Sequence, residues 1–144
     1  MPTLDQIRAC FSGDRYATET TGVQIQKAEP GRAVCTLELR PGLLNANHVP
    51  MGGALFTLAD FAFAIAANGH STSVTVSQQA AITFLAPARG KVLTAEAVCL
   101  KAGRRTCLYA IDITDDTGAY VAHMTVNGFT TEPPVPVGKN EKKP

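Results

Sequence analysis

The sequence has almost no excess of charge and lacks the usual mark of export. Its 144 residues carry 13 Lys and Arg against 12 Asp and Glu, a formal net charge of +1. A nucleic-acid-binding domain normally presents a strongly basic face, so this balance argues against a nucleic-acid partner. Asp5 and Arg8 interrupt residues 1–11, and we therefore expect no secretory signal peptide.

The cysteines show no pattern of pairing or metal binding. None falls in a C-x-x-C pair or at metal-ligand spacing: Cys10, Cys35, Cys99 and Cys107. The last three lie in alternating, strand-like segments, which favours buried thiols over reactive ones. We predict no metal and no redox cofactor, and we expect a reducing, cytoplasmic setting.

A chain of this length forms one domain with its own core. We place that domain at residues 1–130 and expect residues 131–144, rich in Pro and Lys, to be a disordered tail. Apolar spacing predicts a helix over residues 3–11. Alternation and turn residues predict six strands, over residues 22–28, 32–40, 72–85, 91–102, 105–114 and 119–130. Short connections join the last four strands, and we expect these to pair antiparallel.

The most apolar segment is residues 51–68, which Asn68-Gly69 ends as a helix. Pro50 precedes it, where helix starts accept proline. Its length would suit a membrane span, but Asp60 in its middle and strands on both sides favour a helix wrapped by a sheet. We predict an α+β fold with a long central helix and a five- to six-stranded antiparallel sheet. One sheet cannot cover so apolar a helix, so we expect a homo-oligomer, either a dimer or a dimer of dimers.

Asp60 is the only charged side chain between Arg40 and Arg89. A lone carboxylate in an apolar helix is costly, so it normally has a task or a partner. Two interpretations stay open here: a functional carboxylate, or a structural one bonded to a neighbour such as Thr57.

The helix start, Gly52-Gly53, is the second chemical feature. Unpaired N–H groups and the positive end of the helix dipole favour an anion there. Gly52 and Asp60 lie eight residues apart, roughly 12 Å along one helix. Both must approach within about 3 Å of one carbonyl to act on it together. Two antiparallel copies across a dimer axis meet this condition, whereas one helix does not.

The stretch Asn45-Ala-Asn-His-Val-Pro-Met-Gly-Gly-Ala-Leu-Phe-Thr-Leu-Ala-Asp60 resembles the signature of hotdog-fold thioesterases, namely the phenylacetate-pathway (PaaI-type) and 4-hydroxybenzoyl-CoA families. Ala80-Ala-Ile-Thr-Phe-Leu-Ala-Pro87 is similar to the family's central strand. Gly103-Arg-Arg and a late Asp-x-Thr-Gly turn also fit, so the resemblance covers about residues 22–130. The family usually has His where this chain has Met51.

The resemblance implies hydrolysis of an acyl- or aryl-CoA thioester to the free acid and coenzyme A. Asp60 would be the nucleophile or the general base, and the Gly52 N–H would hold the oxyanion. Asn45 would orient the thioester or the water, and Ser77 would hold water or Asp60. The substrate would also contact Gly53 and His48. A hotdog dehydratase or hydratase and a non-catalytic acyl-CoA-binding module are the alternatives. Met51 argues against the dehydratase, which would need a catalytic His.

Basic residues cluster between positions 89 and 105, where one acid, Glu96, accompanies five cations. A coenzyme A substrate carries several phosphate charges that such a cluster suits. We therefore assign substrate binding to four of these cations: Arg89, Lys91, Arg104 and Arg105. Phe56, Phe61, Phe63 and Phe84 have two open interpretations, an acyl pocket or core packing.

Overall fold

Two α-helices and six β-strands make up most of residues 1–131, the part of the chain that this computed structural model describes. In chain order they are α1 (Leu4–Phe11), β1 (Gln24–Glu29), β2 (Arg32–Glu38), α2 (Gly52–Asn68), β3 (Thr75–Phe84), β4 (Val92–Ala102), β5 (Thr106–Asp115) and β6 (Tyr120–Thr130). The sequence predicted the bounds of every one of these elements to within three residues. Apart from Thr131, the predicted tail lies outside the described residues.

The strands form one six-stranded antiparallel sheet in the order β1-β2-β4-β5-β6-β3. The expected antiparallel sheet is confirmed, but β3 and β4 do not pair although they are consecutive. The connection between them crosses the ends of β5 and β6, where the Leu85 N–H donates to the Val121 carbonyl at 2.8 Å. β3 pairs with β6 instead and forms one edge of the sheet.

Helix α2 lies against one face of this sheet and buries most of its surface there. Alternate residues of β2 point at it, so that Ala33, Cys35 and Leu37 are buried while their neighbours are not. Ile111 and Met124, which face each other across β5 and β6, complete the floor beneath the helix. The predicted central helix wrapped by a sheet is confirmed.

The start of α2 differs from the prediction in one respect. Met51 is the N-cap and Gly52 the first helical residue, so Pro50 lies outside the helix. Pro50 instead forms an isolated bridge with Leu44. This bridge closes the loop before α2 through two flanking hydrogen bonds. The Met51 N–H donates to the Leu43 carbonyl at 2.9 Å, and the Asn45 N–H donates to the Val49 carbonyl at 2.8 Å.

Helix α1 packs across the far end of α2. Thr3 and Gln6 form a capping box at its start. Ile7 is buried, and the Phe11 ring meets the Phe61 ring edge to face at 6.3 Å between centroids. This packing fixes the chain that follows α1 beside α2.

The sequence analysis missed two short helical segments, the π-helical Tyr16–Thr21 and the 3-10 turn Pro41–Leu43.

Cys35 is fully buried, and burial raises the pKa of its thiol to about 12. Cys99 and Cys107 are half-buried, and Cys10 is exposed. None of the helices within residues 1–131 combines the length and the apolar character that crossing a membrane requires.

Candidate active site

The first turn of α2 presents unpaired N–H groups. The side chain of Met51 makes no capping hydrogen bond. Within residues 1–131 the N–H groups of Gly52 and Gly53 have no acceptor. The positive end of the helix dipole adds to their potential, so this turn suits an anionic or developing-oxyanion oxygen. Gly52 lines a cavity of about 450 Å³ together with Asn45 and Phe84.

Asn45 shapes the loop that carries the chain into α2. Its side-chain carbonyl accepts the Asn47 N–H at 2.9 Å, and its backbone N–H donates to the Val49 carbonyl at 2.8 Å. His48 between them has the positive φ of 60° that this tight loop requires. The Asn45 amide nitrogen makes no hydrogen bond in the described part of the chain, and Asn45 lines the cavity. It can therefore donate to a bound oxygen.

Asp60 lies half-buried on the face of α2 that the sheet leaves open. This face, which we call the open face of α2, repeats every three to four residues: Gly53, Phe56, Thr57, Asp60, Ala64 and Ala67. No group among the described residues hydrogen-bonds to the Asp60 carboxylate. The structural interpretation through Thr57 is wrong, because the Thr57 hydroxyl donates to the Gly53 carbonyl at 2.9 Å.

The surroundings of Asp60 disfavour its charge. Burial raises the pKa of this carboxyl, and the negative charge of Asp14 raises it further. A carboxylate with a raised pKa and no hydrogen-bond partner is a stronger base than one at the surface. Both effects favour proton transfer to this carboxylate.

The remaining predicted residues divide between the two ends of the subunit. His48, Arg89 and Lys91 line a second groove, of about 240 Å³, beside the start of α2. Arg104 and Arg105 lie at the other end of β4, eleven residues or roughly 36 Å away. One subunit therefore does not bring all four cations together.

Ser77 is exposed on β3 and lies opposite Gly128 of β6. No hydrogen bond joins it to Asp60 within the described residues.

The four phenylalanines with two open interpretations fall into a buried pair and an exposed pair. Phe61 and Phe63 belong to the buried core, whereas Phe56 and Phe84 are 37% and 55% exposed. Of the two open interpretations, core packing holds for the first pair only.

The sequence analysis assigned no role to two acidic residues, Asp14 and Asp115. Asp14 follows α1 and is 46 positions from Asp60, so no local pattern links them. The Asp115 carboxylate accepts the N–H groups of Arg89 and Gly90 at 2.7 and 2.9 Å, and the Thr117 hydroxyl at 2.6 Å. The sequence showed Asp115 only as part of a turn. It holds the segment that carries Arg89 in place.

Residues 1–131 contain no group of three or more His, Cys, Asp or Glu side chains arranged to hold a metal ion. What the chain offers instead is a helix start with free N–H groups, a basic groove beside it and a lone carboxylate with a raised pKa. Such groups polarise a carbonyl and activate water. They are groups of the kind that a hydrolase acting on an acyl carbonyl uses.

Comparison with known proteins agrees with this class. The family model of the Thioesterase superfamily matches residues 48–122. The acyl-coenzyme A thioesterase PaaI of Escherichia coli strain K12 is 35% identical over 115 residues, which cover 79% of this chain and 81% of that protein. The chain therefore belongs to the Thioesterase superfamily, and the predicted enzyme class is confirmed.

Two solved structures show the same fold. The E. coli PaaI protein from the phenylacetic acid degradation operon has a TM-score of 0.77 and 28% identity, over 90% of this chain and 96% of that one. A hypothetical thioesterase protein of Streptococcus pneumoniae TIGR4, solved with coenzyme A, has a TM-score of 0.71 and 29% identity, over 84% and 96%. The predicted hotdog fold is confirmed.

Proposed function

We propose that this protein hydrolyses acyl- or aryl-CoA thioesters to the free acid and coenzyme A. The observation that carries the proposal is the Asp60 carboxylate, which is half-buried, has no hydrogen-bond partner among residues 1–131 and has a raised pKa. The acyl-CoA class is supported by the name of the E. coli relative and by the coenzyme A in the S. pneumoniae structure.

In this proposal, a complete site needs two copies of the chain. Gly52 and Asp60 are eight residues apart on one helix, roughly 12 Å. The open face of α2 carries mainly small side chains, which lets a second helix approach closely. β3 is an unpaired sheet edge with exposed apolar side chains at Val76 and Phe84, and such edges favour pairing. Antiparallel pairing of two copies places Gly52 of one near Asp60 of the other.

The chemistry follows from these groups. The thioester carbonyl oxygen accepts the Gly52 N–H at the helix start, where the dipole stabilises the negative charge that develops on it. Asp60 either takes a proton from the attacking water or attacks the carbonyl carbon itself and is then freed by water. Asn45 donates its amide N–H to the thioester oxygen or the water, and Ser77 holds water near Asp60. The C–S bond breaks, and the thiolate leaves and is protonated as coenzyme A.

The coenzyme A phosphates lie, in this proposal, over the basic groove of His48, Arg89 and Lys91 beside the start of α2. In the same proposal, Gly53 contacts the substrate beside the thioester. Arg104 and Arg105 lie at the opposite end of their own subunit. Antiparallel pairing brings the corresponding residues of the second copy to the groove. Cations from both copies then surround the phosphates.

Thiol release from a panel of acyl- and aryl-CoA substrates tests the proposal. We expect turnover by the wild type and a loss of at least about 100-fold in kcat for Asp60→Asn, the scale of a lost acid–base group. Thr57→Ser, on the same open face, is the matched control and should retain activity. Binding of acyl-CoA without thiol release would indicate a non-catalytic module and contradict the proposal.

A further inference from the structure

The turn between β5 and β6 holds the segment that leads into β4 by two consecutive carboxylates. Asp115 accepts the two N–H groups that precede Lys91, at 2.7 and 2.9 Å. Oδ1 of Asp116 accepts the next two, those of Lys91 and Val92, at 2.8 and 3.2 Å. The Asp116 N–H donates in turn to the Val92 carbonyl at 3.1 Å. Every backbone N–H group of residues 89–92 is therefore bonded to the turn.

This contact requires glycine at position 90. A Cβ atom added at Gly90 would lie 1.7 Å from Oδ1 and 2.7 Å from Cγ of Asp116. Gly90 does not have positive φ, so the lack of space and not the backbone angle excludes a side chain. The Asp116 carboxylate therefore lies directly on the backbone between the two cations of this segment.

Those two cations, Arg89 and Lys91, line the basic groove beside the start of α2. Both are exposed, and no carboxylate among residues 1–131 forms an ion pair with either side chain. Long cationic side chains lose much rotamer freedom when they bind a ligand. A backbone that is already fixed lowers this cost, because it leaves only the side chains to be ordered. The turn thus fixes both cations without pairing their charges.

The charge of Asp116 has the wrong sign to attract a phosphate. The N–H groups of Val92 and Lys91 lower the pKa of this carboxyl, so it is an anion at neutral pH. A negative charge beside the groove repels a phosphate. Any support that Asp116 gives to an anionic ligand therefore comes from the backbone that its oxygen holds.

We propose that Asp116 is a positioning residue for the phosphate end of coenzyme A and acts as a hydrogen-bond acceptor, not through its charge. The inference rests on the proposed function, because it takes the groove of His48, Arg89 and Lys91 as the phosphate site. Without the acceptor, the segment loses two of its four bonds to the turn, and its cations are no longer fixed towards one ligand. Binding of the phosphates then weakens, whereas the chemistry at Asp60 is unaffected.

Two substitutions of Asp116 separate the acceptor from the charge. Asp116→Ala removes both, whereas Asp116→Asn keeps an oxygen at the same place and removes only the charge. We expect Asp116→Ala to raise KM for an acyl-CoA at least about fivefold, the scale of ordering one or two long side chains, and to leave kcat largely unchanged. Asp116→Asn should have a KM no higher than that of the wild type. Neither variant should change KM for the corresponding acyl-pantetheine.

Three results of these assays would overturn the proposal. The first is a wild-type KM for acyl-CoA in Asp116→Ala, and the second is an equal rise in KM in both variants. The third is an equal rise for acyl-CoA and acyl-pantetheine, which would show a structural role. Thermal melts of both variants confirm folding.

Gly90→Ala tests the same contact from the other side. Its methyl group must displace the Asp116 carboxylate, so KM for acyl-CoA should rise as in Asp116→Ala. In the double variant the methyl group occupies the space that the carboxylate has left. We expect its rise in KM to be at least about threefold smaller than the product of the two single effects, the scale of coupling between residues in contact. Effects that simply multiply would contradict the contact.

Calorimetric titration with adenosine 3′,5′-bisphosphate, which has no thioester, tests the phosphate site without turnover. We expect Kd to rise at least about fivefold in Asp116→Ala and not to rise in Asp116→Asn. This order in a protein that releases no thiol would support the inference and contradict the proposed hydrolysis. Thiol release by the wild type, with one Kd for all three proteins, would contradict the inference alone. A wild type that does not bind the probe would contradict both the phosphate groove and the role of Asp116.

Discussion

A Cβ atom added at Gly52 would lie 3.0 Å from Cζ of Phe84, so the Phe84 ring at the end of β3 covers the first turn of α2. A Cβ added at Gly53 would meet nothing within 4 Å. The two adjacent glycines therefore differ in why they are glycine. The close approach at Gly52 places the free N–H group at the wall of the cavity that Phe84 also lines.

This difference predicts unequal effects of Gly52→Ala and Gly53→Ala. Alanine keeps the N–H group at both positions, so each variant adds only a methyl group. Gly52→Ala must displace the Phe84 ring, and we expect a loss of about tenfold in kcat/KM. Gly53→Ala should lose less, since its added methyl group meets nothing within 4 Å in its own subunit. Equal losses of kcat/KM would show that the Phe84 contact does not shape the site.

Asp14 predicts a shift in pH dependence. The carboxyl of Asp60 has a pKa raised by burial and by the charge of Asp14. If Asp60 acts as an anion, kcat/KM falls as the pH drops through this raised pKa. Asp14→Asn removes one cause of the raised Asp60 pKa. The acid limb of the pH profile of kcat/KM should therefore move to lower pH.

Asp14→Glu keeps the charge and should keep the limb near its wild-type position. Glu19→Gln removes a charge that is paired with Arg15 elsewhere, at 3.0 Å, and serves as the control for net charge. A limb that stays in place in Asp14→Asn would contradict the electrostatic contact with Asp60.

The hydrogen bonds of Asp115 predict the pH range in which acid lowers the stability of the fold. Its carboxylate accepts the Thr117 hydroxyl and also the N–H groups of Arg89, Gly90 and Ala119. These bonds, that from Thr117 foremost, hold its pKa well below the usual range. A lowered folded-state pKa adds stability that is fully present above the unfolded value of about 3.9. This stability is lost as the pH falls through the folded-state pKa.

We therefore expect Asp115→Asn to lower Tm by about 5 °C between pH 5 and 8, the scale of lost buried hydrogen bonds. The difference from the wild type should shrink below about pH 4. Asp5→Asn, at an exposed position on α1, should change Tm little at any pH. A Tm difference for Asp115→Asn that persists undiminished at low pH would contradict the linkage.

The sequence predicted the elements well where one local pattern decides them. The apolar run of residues 51–68 and the Gly69 stop predicted α2, and alternation predicted β2 almost to its ends. The π-helical Tyr16–Thr21 shows neither apolar periodicity nor alternation, so nothing local marks it. The place of β3 beside β6 depends on contacts between residues far apart in the chain, such as Ile82 and Met124, which are 42 residues apart.

The same distinction applies to the site. Asp60 and Gly52 were predicted because one is the sole charge in an apolar helix and the other begins that helix. Asp14 lies near Asp60 only because the Phe11–Phe61 contact folds α1 onto α2. The hydrogen bonds that the Arg89 and Gly90 N–H groups donate to Asp115 likewise exist only after β4 and β5 have paired, which places Leu93 opposite Asp115.

The basic residues predict that substitution affects KM and kcat differently. If Lys91 contacts coenzyme A phosphates, Lys91→Ala should raise KM several-fold and leave kcat largely unchanged. Arg104→Ala should behave the same way only if a second copy brings Arg104 to the site. An acyl-pantetheine substrate lacks the nucleotide phosphates and should abolish both effects. An equal rise in KM on both substrates would make the residue concerned structural.

Mixed dimers test the central claim, that one thioester is served by Gly52 of one copy and Asp60 of another. Gly52 is the first helical residue, does not have positive φ, and follows an extended Met51. Proline fits such a position and removes the N–H group. Gly52→Ala controls for the added carbon, and thermal melts confirm folding.

The measurement is the activity of an isolated heterodimer of Gly52→Pro and Asp60→Asn, co-expressed with different purification tags. Each homodimer should be nearly inactive. In the heterodimer one site carries both lesions and the other carries neither, so we expect about half of the wild-type kcat per dimer. A folded heterodimer as inactive as its parents would show that the two groups do not act across an interface.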